Sequence, residues 1–174
     1  ILLSSALFTA GDWKESGYDQ ARTRSTTERF STTLSQRWNY TLGTGIIASP
    51  LSLDGAVVVV AKSGAAAALR ESDGSLLWTS AVGGECVATP SLAAGKAVIP
   101  ATNGKIYCLG LRDGLARWSA PLAAGGTNLS SPTVDANNVV YLGAGFPAKK
   151  VIAFGIADGV VVRERTLEQV VYSS

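Results

Sequence analysis

The sequence contains no histidine and no methionine among its 174 residues. Without histidine there is no Ser-His-Asp arrangement, and the commonest general base and metal ligand are missing. Charged residues make up 16% of the chain, below the roughly 25% usual for globular domains, and the net charge is only +2. So small a charge excess does not indicate a nucleic-acid-binding surface. We therefore expect neither a nucleic-acid partner nor a histidine-based catalytic site.

Only two cysteines are present, Cys86 and Cys108, which are too few for a small disulfide-framed domain. Cys86 is predicted to start the first strand of its repeat and Cys108 to lie in the third. A middle strand would then separate them by roughly 9.6 Å. That distance exceeds the Cα separation of about 7 Å that a disulfide can bridge. The sequence therefore predicts two buried free thiols.

The N-terminal region, residues 1–37, divides into an apolar segment and a lead-in of mixed charge. Residues 1–10 are apolar and end in small residues, so they are either the tail of a signal peptide cleaved after Ala10 or a strand packed on the body. Ten residues fall short of the roughly 20 that span a membrane, and no transmembrane segment is predicted. The charges between Lys14 and Arg37 are of both signs, which favours a solvated lead-in over an anion site.

Three sequence markers recur with one period and in one order. Tryptophan returns at spacings of 40 and 40, a Ser/Thr-Pro pair at 40 and 42, and an Asp-Gly pair at 40 and 45. Independent markers that share a period indicate an internal repeat. The markers are Trp38, Trp78 and Trp118; Ser49-Pro50, Thr89-Pro90 and Ser131-Pro132; and Asp73-Gly74, Asp113-Gly114 and Asp158-Gly159.

Each period contains four short β-rich runs separated by turn residues. In the first copy the predicted strands are 37–42, 46–53, 57–60 and 65–70, and the next outer strand begins near Leu76. Asp-Gly pairs, and Asn103-Gly104 in the second copy, suit the type I′ hairpin turn. Four antiparallel strands in 40 to 45 residues are typical of one propeller blade. The predicted fold is all-β: a β-propeller of four-stranded antiparallel blades, with about three blades plus partial ones in an incomplete ring.

The period also divides the chain into parts of one propeller domain. Blade 1 with a preceding outer strand is assigned to residues 38–82, blade 2 to 83–122, blade 3 to 123–167 and the start of blade 4 to 168–174. The last of these resembles the residues that precede each Ser/Thr-Pro pair. The third copy is longer by five residues, and we place this insertion at 143–150, where Phe146 and Lys149 would extend a hairpin loop on one rim.

Three blades and two partial blades do not close a ring, because propellers usually need at least four. One interpretation is a fragment of a longer chain, of about 320 residues or more if eight repeats close the ring. The other is a subunit whose open strand edge is filled by another chain.

The order of these markers resembles the PQQ-like (pyrroloquinoline-quinone-type) repeat. The clearest copies are Asp73-Gly74-Ser75-Leu76-Leu77-Trp78 and Asp113-Gly114-Leu115-Ala116-Arg117-Trp118. Proteins with this repeat include outer-membrane assembly scaffolds, quinoprotein alcohol dehydrogenases and luminal stress-sensor domains. The resemblance implies that each tryptophan docks between neighbouring blades. It also implies that an enzyme of this family would carry adjacent cysteines and a calcium site of acidic and amide side chains, and here Cys86 and Cys108 are not adjacent.

The repeated residues have a structural and a functional interpretation. Asp73, Asp113 and Asp158 each stand alone in a turn, whereas calcium needs six to eight clustered oxygens, so we interpret the Asp-Gly pairs as blade turns. Trp38, Trp78 and Trp118 share one blade position, which favours docking over a platform for bases or sugars. Asn39 and Asn128 each begin a glycosylation acceptor motif.

The function predicted from the sequence is a non-catalytic propeller that binds proteins or acts as a scaffold in a larger assembly. We predict no catalytic residue, no cofactor and no metal site. The partners are proteins, bound through rim loops or the open blade edge, and the location is extracytoplasmic: periplasmic, luminal or secreted. Two alternatives stay open, a fragment of a quinoprotein dehydrogenase and a luminal or extracellular sensor domain.

Overall fold

The computed structural model describes residues 12–16, 35–122 and 130–168. Within these residues, twelve strands form three four-stranded antiparallel sheets, and no helix is found there. The first sheet contains β1 (Leu51–Leu53), β2 (Ala56–Val60), β3 (Ala65–Arg70) and β4 (Leu76–Ala81). The second contains β5 (Ser91–Ala93), β6 (Lys96–Ala101), β7 (Lys105–Gly110) and β8 (Ala116–Pro121). The third contains β9 (Thr133–Val134), β10 (Val139–Ala144), β11 (Lys150–Gly155) and β12 (Val161–Thr166).

Within each sheet the strands follow one another in chain order. The first strands of neighbouring sheets approach each other, β1 to β5 and β5 to β9, so these three strands lie nearest a common axis. The sheets therefore radiate from that axis as propeller blades do and form an open arc rather than a closed ring. The prediction of an all-β, partial propeller is confirmed.

The middle strands of the first and second sheets are buried and apolar on both faces. In β2 the sequence AVVVV is buried at Val58 on one face and at Val59 on the other. A sheet with one wet face would instead alternate apolar and polar residues.

Two hydrophobic clusters fill the spaces between sheets. One lies between the first and second sheets and the other between the second and third. From the first sheet Val58, Ala68 and Trp78 point into the first cluster, and from the second sheet Val98 and Cys108 point into the second. Burial of such apolar area supplies about 25 cal/mol per Å², so the sheets are stabilised by one another.

Two of the predicted strands differ from the structure. Residues 37–42 are in no strand, although Trp38 occupies the place of an outer strand. An outer strand pairs with the third strand of its own blade, which here would precede the first sheet. No such strand is present among the described residues. The predicted strand 46–53 is paired only over Leu51–Leu53. The predicted runs at 57–60 and 65–70 correspond to β2 and β3.

The sequence predicts type I′ turns at the repeated Asp-Gly pairs, and this prediction is wrong. That turn needs positive φ at both central residues, yet at Asp73-Gly74 only the glycine has it. Instead the Gly74 N–H donates to the Arg70 carbonyl, and the Arg70 N–H donates to the Ser75 carbonyl. The chain thus makes one helix-like turn that a left-handed glycine ends.

The other predicted turns divide between the two types. Asn103-Gly104 likewise has positive φ only at its glycine, whereas Asp54-Gly55 has φ of 53° and 75°, as a type I′ turn requires. Each first-to-second-strand hairpin of the first two sheets has two loop residues, which is the length that selects this turn.

The five-residue insertion is distributed and not confined to 143–150. The paired residues Tyr141 and Ala153 are twelve positions apart, against ten for Val58 and Ala68, so two extra residues lie in the β10–β11 hairpin. Thr133 and Tyr141 are eight apart, against seven for Leu51 and Val58, so one lies between β9 and β10. The other two fall between Trp118 and Pro132, where part of the chain lies outside the described residues.

Three expectations fall on undescribed parts of the chain. The apolar residues 1–10, the tail 170–174 with its proposed fourth inner strand, and the acceptor Asn128 all lie outside the described residues.

Both cysteines are free and buried. Cys86 precedes β5, in the connection from β4, rather than starting the first strand as the sequence analysis expected, while Cys108 lies in β7. Burial raises the pKa of the Cys86 thiol from 9.0 to about 11 and that of the Cys108 thiol to about 12. Lys96 and Arg117 offset part of the second increase.

We predict that both thiols resist labelling by a disulfide reagent in the native protein at pH 8. With a pKa of about 11, only about one Cys86 thiol in a thousand is ionised there, and the thiolate is the reactive form. Each native pKa lies above the unfolded value of 9.0, so the associated stability is complete below about pH 9 and is lost as the pH rises toward about 11 for Cys86 and about 12 for Cys108. Labelling within seconds in native buffer, at the rate seen in denaturant, would contradict the burial.

Candidate functional site

Each tryptophan marker contacts the next sheet along the chain. The indole N–H of Trp78, on β4, donates to the Leu111 carbonyl at 2.8 Å, and that of Trp118, on β8, donates to the Ile156 carbonyl at 3.0 Å. Trp38 makes the same contact with the Glu71 carbonyl at 2.9 Å. All three acceptors stand two residues before an Asp-Gly pair. The side chain therefore joins an outer strand to the turn that precedes the next outer strand.

The glycine of each Asp-Gly pair lies directly against the indole ring. A Cβ on Gly114 would stand 2.6 Å from Trp78, and a Cβ on Gly74 would stand 2.6 Å from Trp38. On Gly159 the nearest atom would be Trp118, at 2.5 Å. Glycine is thus needed at this place both for its positive φ and because the ring leaves no room for a side chain.

The aspartates of these pairs bind their own turns. The Oδ1 atoms of Asp73, Asp113 and Asp158 accept hydrogen bonds from the backbone N–H two residues later. Hydrogen bonds from the Ser75 side chain and then its N–H lower the pKa of Asp73, and the one from the Leu115 N–H lowers the pKa of Asp113. No group of three or more acidic, cysteine or histidine side chains that could hold a metal ion occurs among the described residues.

A second series of contacts joins the sheets near the axis, which the sequence analysis did not foresee. The Ser49 N–H donates to the Thr89 hydroxyl at 3.2 Å, and the Thr89 N–H donates to the Ser131 hydroxyl at 3.2 Å. The Ser91 hydroxyl donates to the Pro132 carbonyl. The hydroxyls of the second and third Ser/Thr-Pro pairs, Thr89 and Ser131, therefore each accept the N–H of the preceding pair, and the recurrence of a hydroxyl residue before proline was the available signal.

The third sheet lacks the tryptophan of the first two. Ala68 pairs with Trp78 and Cys108 with Trp118, and at the same register Ala153 pairs with Arg163. Because Trp78 and Trp118 face the following sheet, Arg163 lies on the side of the third sheet that faces away from the second. This position stands five residues after the Asp of each Asp-Gly pair, so the sequence alone locates Arg163, although it was not among the predicted site residues.

One rim of the arc carries the loops between second and third strands. These loops join neighbouring connections by backbone hydrogen bonds, for example from Cys86 N–H to the Lys62 carbonyl at 2.9 Å and from Leu167 N–H to the Lys149 carbonyl at 2.7 Å. The loops at 61–64 and 102–104 are short and mostly polar. The loop at 145–149 instead presents Phe146, which is 59% exposed. We call these three loops the loop rim.

Asn39 of the first glycosylation motif is exposed, as are Tyr40 and Thr41 that follow it. The described residues contain no helix of the length and apolarity that a membrane crossing requires.

A family model described as the outer membrane protein assembly factor BamB matches residues 25–172. The chain belongs to this family. The resemblance to the PQQ-like repeat is thereby confirmed, and the BamB-like match covers all three sheets. No curated protein matches the sequence significantly.

Solved structures with this repeat superpose well on the chain. BamB from Moraxella catarrhalis has a TM-score of 0.68 at 19% identity, over 75% of this chain and 40% of that one. Quinohemoprotein alcohol dehydrogenase ADHIIG from Pseudomonas putida HK5 has a TM-score of 0.76 at 19% identity, over 88% and 26%. That of Comamonas testosteroni has 0.73 at 23% identity, over 88% and 27%.

The chain spans two fifths or less of the length of these three solved relatives. At identities this low, the superpositions establish only the propeller fold that the chain shares with these structures.

We predict that Gly114→Ala destabilises the protein more than Gly95→Ala. The two glycines have nearly equal φ, 66° and 67°, so the cost of about 1–2 kcal/mol for a left-handed alanine is common to both. Only at Gly114 would the new Cβ meet Trp78, while Gly95 has no atom within 4 Å. Displacing the ring adds about 1–3 kcal/mol.

Urea unfolding midpoints of the two variants measure this difference. Equal midpoints would show that the indole is not held against the glycine.

Proposed function

We propose that the chain is a non-catalytic, protein-binding module of a larger assembly, working in an extracytoplasmic compartment. Membership of the BamB family supports a scaffolding role, since that family is described by a factor in protein assembly. The observation that carries the proposal is Phe146 on the loop rim. Propellers bind partners mainly through such loops, and exposed aromatic residues are frequent energetic centres of protein interfaces.

The geometry of the loop supports a binding role for Phe146. The Lys149 N–H donates to the Gly145 carbonyl at 3.0 Å, which closes the loop. Ala148 packs against the second hydrophobic cluster, so one side of the loop is anchored in the core. An exposed aromatic on an anchored loop loses little conformational entropy on binding, which favours affinity.

The repeated residues support a structural role rather than a catalytic one. Trp78 and Trp118 have their rings against glycine and their N–H groups satisfied by carbonyls, so they are proposed to dock blades. Asp73, Asp113 and Asp158 are proposed to order turns, and Asn39 is proposed as an exposed acceptor for glycosylation.

We predict that a photo-crosslinking phenylalanine analogue at position 146 captures a discrete protein in the source cell. Leu115 is the matched control, because it is 61% exposed and lies in a turn between third and fourth strands, on the opposite rim. The analogue at position 115 should capture nothing discrete.

With the captured partner purified, Phe146→Asp should weaken binding by about thirtyfold or more, as loss of an aromatic hot spot does. Leu115→Asp should leave the affinity within about twofold. Equal effects of the two substitutions would overturn the assignment of the loop rim.

A quinoprotein dehydrogenase is the alternative function. Solved quinohemoprotein dehydrogenases share the fold of this chain, but the sequence has no adjacent cysteines and no histidine. We expect the native full-length protein to show neither a quinone absorption band nor calcium-dependent reduction of a dye acceptor. Either signal, lost on removal of the quinone, would establish the enzyme instead.

A further inference from the structure

Residues 12–16 run across the first strands of all three sheets. The Ser52 N–H of β1 donates to the Trp13 carbonyl at 2.8 Å. The Leu92 N–H of β5 donates to the Lys14 carbonyl at 2.6 Å. Consecutive residues of this segment therefore meet consecutive sheets, one residue to a sheet.

The two N–H groups are equivalent and available for the same reason. Ser52 and Leu92 each stand two residues after the proline of a Ser/Thr-Pro pair. Each lies in a first strand, which pairs with its own sheet along one edge only. The other edge of each first strand carries backbone N–H and C=O groups that its own sheet does not pair. β1 and β5 lie side by side near the axis, so the Ser52 and Leu92 N–H groups are neighbouring donors, and we call these two strand edges the axial track.

Side chains fix which residues suit the axial track. Trp13 packs against the first hydrophobic cluster, and its N–H donates to the Ser52 hydroxyl at 3.1 Å. Glu15 is only 5% exposed and accepts a hydrogen bond from the Thr133 hydroxyl of β9. Between them the Lys14 side chain is half exposed, and its Nζ lies 4.0 Å from the exposed Asp12 carboxylate. The pattern selected is thus aromatic, any residue, acidic.

A buried carboxylate is expensive unless it is hydrogen-bonded. Glu15 therefore does not belong to a loosely placed leader. Its position against a strand 118 residues away along the chain indicates a specific seat for an acidic side chain.

We infer that the axial track is a binding site for an extended peptide with the pattern aromatic, any residue, acidic, and that residues 12–16 occupy it as a ligand within the same chain. A partner segment of that pattern binds by displacing them. The recognition is strand addition at a sheet edge, in which backbone hydrogen bonds give affinity and side-chain seats give specificity. This inference uses contacts within the chain alone and stands whether or not the loop rim binds a protein.

The first experiment uses a fluorescent, end-blocked peptide of residues 12–16. A chain carrying Trp13→Ala and Glu15→Ala has a weakened internal ligand and should bind the peptide saturably. The unaltered chain should bind it at least tenfold more weakly, because a tethered ligand competes at an effective concentration in the millimolar range. A peptide with Lys14→Ala should bind like the original, and one with Glu15→Ala at least tenfold more weakly.

Absence of saturable binding to the double variant would overturn the inference. So would equal losses from the Lys14→Ala and Glu15→Ala peptides, since a non-specific hydrophobic contact would not distinguish the acidic position.

The second experiment tests the intact chain by amide hydrogen exchange, in case the double variant folds poorly. Glu15→Ala alone should speed exchange at Ser52 and Leu92 at least tenfold and leave the amides of β6 and β7 unchanged. Lys14→Ala is the matched control and should change neither group. Exchange at Ser52 and Leu92 that is unaffected by Glu15→Ala would show that the axial track does not hold the segment.

Discussion

The structure depends on the packing of neighbouring sheets against one another across two apolar gaps. A sheet such as the first, with Val58 buried on one side and Val59 on the other, has no face that water can cover at low cost. The Trp78 side chain makes this packing directional, because it fills the outer part of the gap and also bonds one particular carbonyl, that of Leu111. A hydrophobic contact alone would let the sheets slide, whereas the hydrogen bond fixes the register between them.

Two series of contacts, at different distances from the axis, join each sheet to the next. Near the axis the hydroxyls of Thr89 and Ser131 accept backbone N–H groups of the preceding sheet. Farther out, the indoles reach the turns of the following sheet. The short inner contacts and the large outer side chains together give each gap a wedge shape, which is the geometry a radial arrangement needs. Phe146 and Glu15 belong to neither series, and they are the residues on which the two proposed binding sites rest.

The sequence predicted the fold because the markers repeat and because the middle strands are coded locally. The runs 57–60 and 65–70 are β-branched or small and are bounded by turn residues, so their boundaries agree with β2 and β3 within one residue. The segment 37–42 also contains residues that favour strands, such as Trp38, Tyr40 and Thr41, but it has no ladder, since a strand needs a neighbour and composition does not supply one. The Asp-Gly turns were assigned to the wrong type because glycine after aspartate suits both a type I′ turn and the left-handed end of a helix-like turn.

The candidate sites were less accessible from the sequence. The insertion was misplaced because a spacing between markers sums the lengths of several turns and does not say which of them grew. The seat of Glu15 depends on Thr133, 118 positions away, and no local pattern carries such a contact. Arg163, by contrast, was open to discovery, since it stands at the fixed offset from Asp158 where the other copies have tryptophan.

Arg163 also makes the stack energetically uneven. The stability of a repeat array is approximately a sum of intrinsic terms for each unit and coupling terms between nearest neighbours. The couplings from the first sheet to the second and from the second to the third each contain an indole that donates to a carbonyl of the next sheet. Whatever surface meets the Arg163 side of the third sheet couples through a hydrated guanidinium, so that term is smaller and falls as ionic strength rises. By this reasoning the three sheets are coupled more strongly to one another than to any surface that would meet the Arg163 side of the third sheet.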